Sequence, residues 1–113
     1  MPPARLKFGR LRDYEGASYH YRQLLLGNPR HAEALNGLGL IHYQKGEMKE
    51  AEEKFRSAIR ANPRYADAYN NLAVVLERLN KKQEAIKLLK EALRIDPEHA
   101  EARRNLERMQ GEG

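Results

Sequence analysis

The sequence predicts an all-α fold, a stack of antiparallel helix pairs. Two observations predict it. The first is a fixed period: Pro29, Pro63 and Pro97 stand 34 residues apart, each directly preceded by Asn28, Asn62 or Asp96. Other slots recur in step, Ala17 with Ala51 and Ala85, and Tyr21 with Phe55 and Leu89. A period of this length means one supersecondary unit stacked several times. The second is the spacing inside each period, where apolar residues fall at i, i+3, i+4 and i+7, the pattern of one helical face.

The first repeat, residues 1–31, is partial. Counted back from Pro29, a full unit would begin before Met1. Its first helix is expected to be clipped to about Pro3–Leu11, with Ala4, Phe8 and Leu11 on one face and Pro2-Pro3 suited to a helix start. Its second helix runs over roughly Tyr14–Leu26. Residues 32–65 form a full repeat. Leu35, Leu38, Gly39 and His42 mark its first helix, and Gly46 supplies the left-handed conformation that ends it. The second helix, about Glu47–Ala61, carries Ala51, Phe55, Ala58 and Ile59. Asn62-Pro63 closes it, because proline cannot continue the preceding helix and biases its predecessor away from helical geometry. Residues 66–99 repeat the scheme with Tyr69, Leu72, Ala73 and Leu76, then Asn80 in the Gly46 slot, then Ala85, Leu88, Leu89, Ala92 and Leu93, closed by Asp96-Pro97. Residues 100–110 are charged (Glu101, Arg103, Arg104, Glu107, Arg108) around a narrow stripe of Ala102, Leu106 and Met109. That suits a capping helix with a polar outer face. Residues 111–113 form a tail.

At 113 residues the chain has room for one small domain, and 33% charged residues fit the large exposed surface of a linear stack. The net charge of +5 is uneven. Residues 1–31 hold six basic side chains against two acids, whereas the remainder carries fifteen against fourteen. The repeat body therefore has the mixed signs of a solvated helical surface rather than a sustained basic stripe, which argues against nucleic acid. Without cysteine there is neither a disulfide nor a thiolate metal site. No apolar run approaches membrane-spanning length, and the N-terminus lacks the apolar centre of a signal peptide. A cytoplasmic address is favoured, although a mature secreted domain or a fragment would look the same.

The pattern resembles the tetratricopeptide repeat, a 34-residue helix–turn–helix of the form W-x2-L-G-x2-Y, A-x3-F, P. The unit from Ala32 gives Leu35-x2-Leu38-Gly39-x2-His42, Ala51-x3-Phe55 and Pro63. The unit from Ala66 gives Tyr69-x2-Leu72-Ala73-x2-Leu76, Ala85-x3-Leu89 and Pro97. The partial unit keeps Phe8, Ala17-x3-Tyr21 and Pro29, and departs at Leu24 and Arg12. The resemblance implies a right-handed superhelix of α-hairpins. It further implies that the first helix of each unit lines a concave groove binding a peptide segment of a partner. The groove residues expected on that basis are Asn36, Leu40, Tyr43, Asn70, Asn71, Val74, Arg78, Arg104, Asn105 and Arg108. Asparagines would hold a peptide backbone, since an amide both donates and accepts. Leu40, Tyr43 and Val74 would supply apolar contact, and the arginines would select acidic groups. Asn71 and Asn105 lie one period apart, but Gly37 interrupts the preceding rung. The clamp that some members of the family use for chaperone tails is not expected, because only Asn71 matches it.

The function expected is protein–protein interaction, as a module or scaffold. Homo-oligomerisation through the N-terminal partial repeat is the alternative, and nucleic-acid binding through the basic N-terminal segment with Tyr14, Tyr19 and Tyr21 is a weaker one. An enzyme is not expected, since no nucleophile–base set and no phosphate loop is present. No cofactor is called for. His20, His31, His42 and His99 lack the i, i+4 spacing of metal ligands.

Overall fold

The structure, a computed structural model, describes residues 11–111. The expected helix Pro3–Leu11 thus lies outside the described residues except for Leu11. The described chain holds six helices and no strand: α1 (Leu11–Gly27), α2 (Ala32–Gln44), α3 (Met48–Ala61), α4 (Ala66–Arg78), α5 (Lys82–Ile95) and α6 (Ala100–Gly111). The fold is an all-α solenoid. α1 runs unbroken through Arg12, the position held in the other units by Gly46 and Asn80.

Two kinds of turn alternate, each written in the sequence. Between α2 and α3, Gly46 takes φ +82°, and between α4 and α5 Asn80 takes φ 65°. In both, the residue after the left-handed one donates back across the helix end: Glu47 N to His42 O and Lys81 N to Leu76 O, each 2.8 Å. Gly46 N and Asn80 N donate to Tyr43 O and Glu77 O, each at 3.0 Å. This is the pair of bonds that satisfies the last free carbonyls of a helix. Between units, the residue before proline folds its own side chain back: Asn28 Oδ1, Asn62 Oδ1 and Asp96 Oδ1 accept from the backbone N–H of Arg30, Arg64 and Glu98 at 3.0–3.1 Å. Such side-chain turns are what Asn and Asp offer the backbone. The next helix then starts on His31 or His99, whose Nδ1 accepts from Ala34 N or Ala102 N at 3.2 and 3.1 Å. These histidines act as helix caps, which fits their recurrence in one slot.

The core is continuous from α3 to α6. Ala51, Phe55, Leu72, Ala73, Leu76, Ala85, Leu89, Ala92, Ala102 and Met109 are buried together, as the apolar stripes require. α2 and α4 are enclosed by neighbours, so burial spreads beyond one stripe and includes Ala34, Ile41, Ala68 and Val75. Each helix packs on its chain neighbours. In addition α2 touches α4 and α4 touches α6, whereas α1, α3 and α5 make no such second-neighbour contact. One layer, α2–α4–α6, is therefore drawn together and the other, α1–α3–α5, is splayed, which curves the stack with α2, α4 and α6 on its inner side.

Small residues set this spacing. A Cβ on Gly39 would lie 2.5 Å from the Phe55 ring, and one on Gly37 2.3 Å from the Tyr21 ring. Both glycines are filled by an aromatic face from the adjoining helix. Gly37 is thus a packing position between α1 and α2, not an empty rung on the groove.

Candidate functional site

The inner layer brings side chains of α2, α4 and α6 around a pocket of about 170 Å3. Leu40, Tyr43 and Gln44 come from α2, Asn71 and Val74 from α4, Glu101 from α6, with Phe55 of α3 behind them. α2 and α4 deliver residues one turn apart, so their part of the wall follows from helical spacing. A wider hollow, about 430 Å3, opens on α3 at Lys49, Glu50, Glu52, Glu53 and Arg56. It has no apolar side chain in its lining, and its acids and bases pair at the surface, Arg56 bridging Glu52 and Glu84 at 2.9 and 3.0 Å. Concave, part-apolar surface with a few polar groups is what ligand sites are made of. The inner pocket has it, and so does a hollow of about 200 Å3 where Arg56, Ile59 and Arg60 of α3 meet Tyr69, Leu72 and Leu88; the inner pocket is the one that joins successive inner helices.

The asparagines lie differently from the expected surface ladder. Asn70 is 1% exposed and Asn36 7%. Both sit between units. Asn71 Nδ2 donates to Asn36 Oδ1 at 3.0 Å, and Asn105 Nδ2 donates to Asn70 Oδ1 at 2.9 Å. Asn36 in turn donates to the Tyr65 hydroxyl at 3.4 Å, and burial pushes the Tyr65 phenol up from its ordinary range. Asparagine pairs thus cross from each inner helix to the next. Asn36 and Asn70 join units, and Asn71 and Asn105 have each committed one amide N–H. Of the four, Asn71 lines the pocket.

The arginines are also engaged. Arg108 grips Glu77 with both terminal nitrogens, at 2.7 and 2.9 Å. That bond, helped by the nearby positive charges, holds the Glu77 carboxyl below the usual glutamate range against the opposing effect of burial. Arg78 lies over the Tyr43 ring, 5.5 Å from its centre, and donates to the Tyr43 hydroxyl at 3.2 Å. Arg104 is exposed.

Three pocket residues are not among the expected groove residues: Phe55, which the repeat pattern marks as packing, Gln44 and Glu101. Gln44 follows Leu40 by one turn of α2. Its Oε1 is the one buried side-chain oxygen or nitrogen without a hydrogen-bond partner among the described residues. Glu101 reads in the sequence as a first-turn helix acid, a common place for one, and its spacing carries no signal that it reaches across to α2 and α4. Among the described residues, no group of three metal-ligating side chains converges. His42 meets Glu47 at 2.7 Å and His99 meets Asp67 at 2.6 Å instead. No helix among the described residues is long and apolar enough to cross a membrane.

The comparisons with known proteins agree with this fold. No curated protein matches the chain in sequence. Among solved structures it is similar to the first tetratricopeptide repeat domain of Spaghetti (RPAP3), a structure bound to the HSP90 peptide SRMEEVD. The TM-score is 0.81 at 21% identity, covering 93% of this chain and 83% of that one, a likeness that speaks for the fold. The family model for the tetratricopeptide repeat matches residues 7–63 and 49–100. On that match, its 34-residue period and its stacked hairpins, the chain belongs to the tetratricopeptide repeat family.

Proposed function

We propose that the chain is an interaction module that holds a peptide segment of a partner protein on its inner face, against Leu40, Tyr43, Asn71 and Val74. The observation that carries this reading is the pocket itself, where half-buried apolar side chains of successive inner helices meet polar groups. Support also comes from the fold relative whose structure holds a peptide. Asn71 spends one N–H on Asn36 and keeps its carbonyl oxygen and a second N–H, so it can meet both groups of a peptide backbone. Arg78 and Arg104 are the groove cations best placed to meet a ligand, and Arg108 acts first on Glu77. We assign the chain no catalysis: its role is to bind.

The test is capture of proteins from lysate by the wild type, by Val74→Glu and by Glu53→Ala on the outer layer, with folding checked by circular dichroism. Val74 is half-buried and at the pocket wall, so the charge should abolish capture while the melting temperature stays near wild type. Glu53→Ala should capture what the wild type does. Capture unchanged in Val74→Glu and lost in Glu53→Ala would move the function to the outer layer.

One observation favours self-association as a second reading. On α1, Leu26 is 77% exposed and Tyr19 61%, the two exposed large apolar residues among those described. They stand seven apart, on one face of the helix. Sedimentation of the wild type beside Leu26→Glu decides it: a dimer converted to monomer supports the reading, and a monomer in both ends it.

A further inference from the structure

The charge of the inner pocket is one-sided. Glu101 brings a carboxylate, which only accepts, and it is the one charged side chain in the lining. Asn71 donates one amide N–H to Asn36, and its oxygen remains an acceptor. Gln44 holds a buried oxygen with no donor. A buried acceptor left unmade is costly, and each such group asks for a partner. A carboxylate and two amides therefore edge a floor of Leu40, Phe55 and Val74. Two other acids share the slot of Glu101. Asp67 is held by His99 at 2.6 Å and Glu33 lies 3.5 Å from His31, while Glu101 has no side-chain partner among the described residues. Arg78, beside the wall, is stacked on Tyr43 and bonded to its hydroxyl.

The pocket measures about 170 Å3. A single water needs on the order of 10–15 Å3, so the space suits a long side chain. An apolar stem ending in a donor-only head matches both floor and rim. An ammonium offers three donors and no acceptor.

We propose that this pocket seats a lysine side chain of the bound segment, its methylenes over Leu40, Phe55 and Val74 and its ammonium shared among Glu101, Gln44 Oε1 and Asn71 Oδ1. The inference rests on the groove being the binding surface. It reverses the sign expected from the groove arginines, assigning a basic anchor to the ligand instead of an acidic one.

A displayed library of random linear peptides tests it, selected on the full chain. Peptides recovered on the wild type should align with lysine enriched at one fixed position. That enrichment has to arise locally, because a net charge of +5 disfavours basic peptides in general. A synthetic copy of the selected peptide should bind Glu101→Gln about tenfold more weakly, the scale of one charge-assisted hydrogen bond. On Glu101→Lys the lysine preference should vanish, while Glu53→Lys, the same charge change on the outer layer, should keep it. Both Glu101 and Glu53 are exposed, so neither variant disturbs the core. Arginine replacing lysine at the aligned position, acidic enrichment, or lysine enrichment unaffected by Glu101→Lys overturns this inference and leaves the groove reading standing. Recovery of no peptide overturns both.

Discussion

Single side chains decide how closely these helices approach. Gly39→Ala forces a methyl into the Phe55 ring, which is 1% exposed and has nowhere to go. Gly37→Ala meets Tyr21, half-buried and able to swing outward. We expect Gly39→Ala to cost about 1–3 kcal/mol and Gly37→Ala less, read from urea unfolding. The asparagines behave as structure too. Asn71→Ala strands Asn36 Oδ1 and Asn105→Ala strands Asn70 Oδ1, so each should cost about 1–3 kcal/mol, seen as a lowered melting temperature. A loss of binding in such variants would therefore not report on the groove, and Val74→Glu is the sharper probe. Reading Asn71 and Asn105 as one line of polar groups along the groove captured their period and missed their partners. Each donor pairs with the acceptor 35 residues earlier, one slot off the repeat. A search at the period alone passes over that offset. The slots of Gly39 and Ala73 were legible for the opposite reason, because close packing leaves its mark in residue size.

At the scale of elements, the ends of helices are the most readable feature of the chain. Gly46 and Asn80 both take positive φ at equivalent turns. A Cβ on Gly46 meets no atom, so the conformation alone sets the cost of Gly46→Ala. We expect about 1–2 kcal/mol of lost stability on denaturant unfolding. Asn80→Gly should be neutral or mildly stabilising, since glycine carries no penalty there. The three Asx-Pro turns were equally evident, since their chemistry is local. The caps were half evident. His31 and His99 recur in a slot also held by Tyr65, and only coordinates show that the histidines cap through Nδ1 while Tyr65 gives up capping to meet Asn36. The pocket was the least legible. Leu40, Tyr43, Asn71 and Val74 follow from the face of a helix. Glu101 enters it only because the inner layer curves, and curvature is a sum over all the contacts in the stack.

Across the molecule, unit joins unit by three devices: the apolar core, the asparagine pairs, and charge pairs such as Arg108 with Glu77. The last makes the junction of α4 and α6 acid-sensitive. Glu77 is held below the usual glutamate range in the folded chain. The unfolded chain thus takes up the proton first as pH falls. The contribution is complete above the ordinary glutamate value of about 4.3, and is lost as pH drops through the lower folded one. Arg108 is 46% exposed, so solvent screening limits the pair to about 1 kcal/mol at most. Thermal melts of Arg108→Gln should fall below wild type at neutral pH and converge with it as acid protonates Glu77 in the folded chain. The asparagine pairing also gives the stack a direction. Each inner helix offers an oxygen toward the next unit and receives a nitrogen from it. On α6 the oxygen-bearing slot of Asn36 and Asn70 is filled by Arg104, and a guanidinium has no lone pair to lend. A further copy of the same unit, arriving with its asparagine nitrogen, would find a donor facing a donor. A guanidinium in that slot is matched by a carbonyl or a carboxylate instead, so the asparagine pairing from α2 through α4 to α6 reads in one direction only.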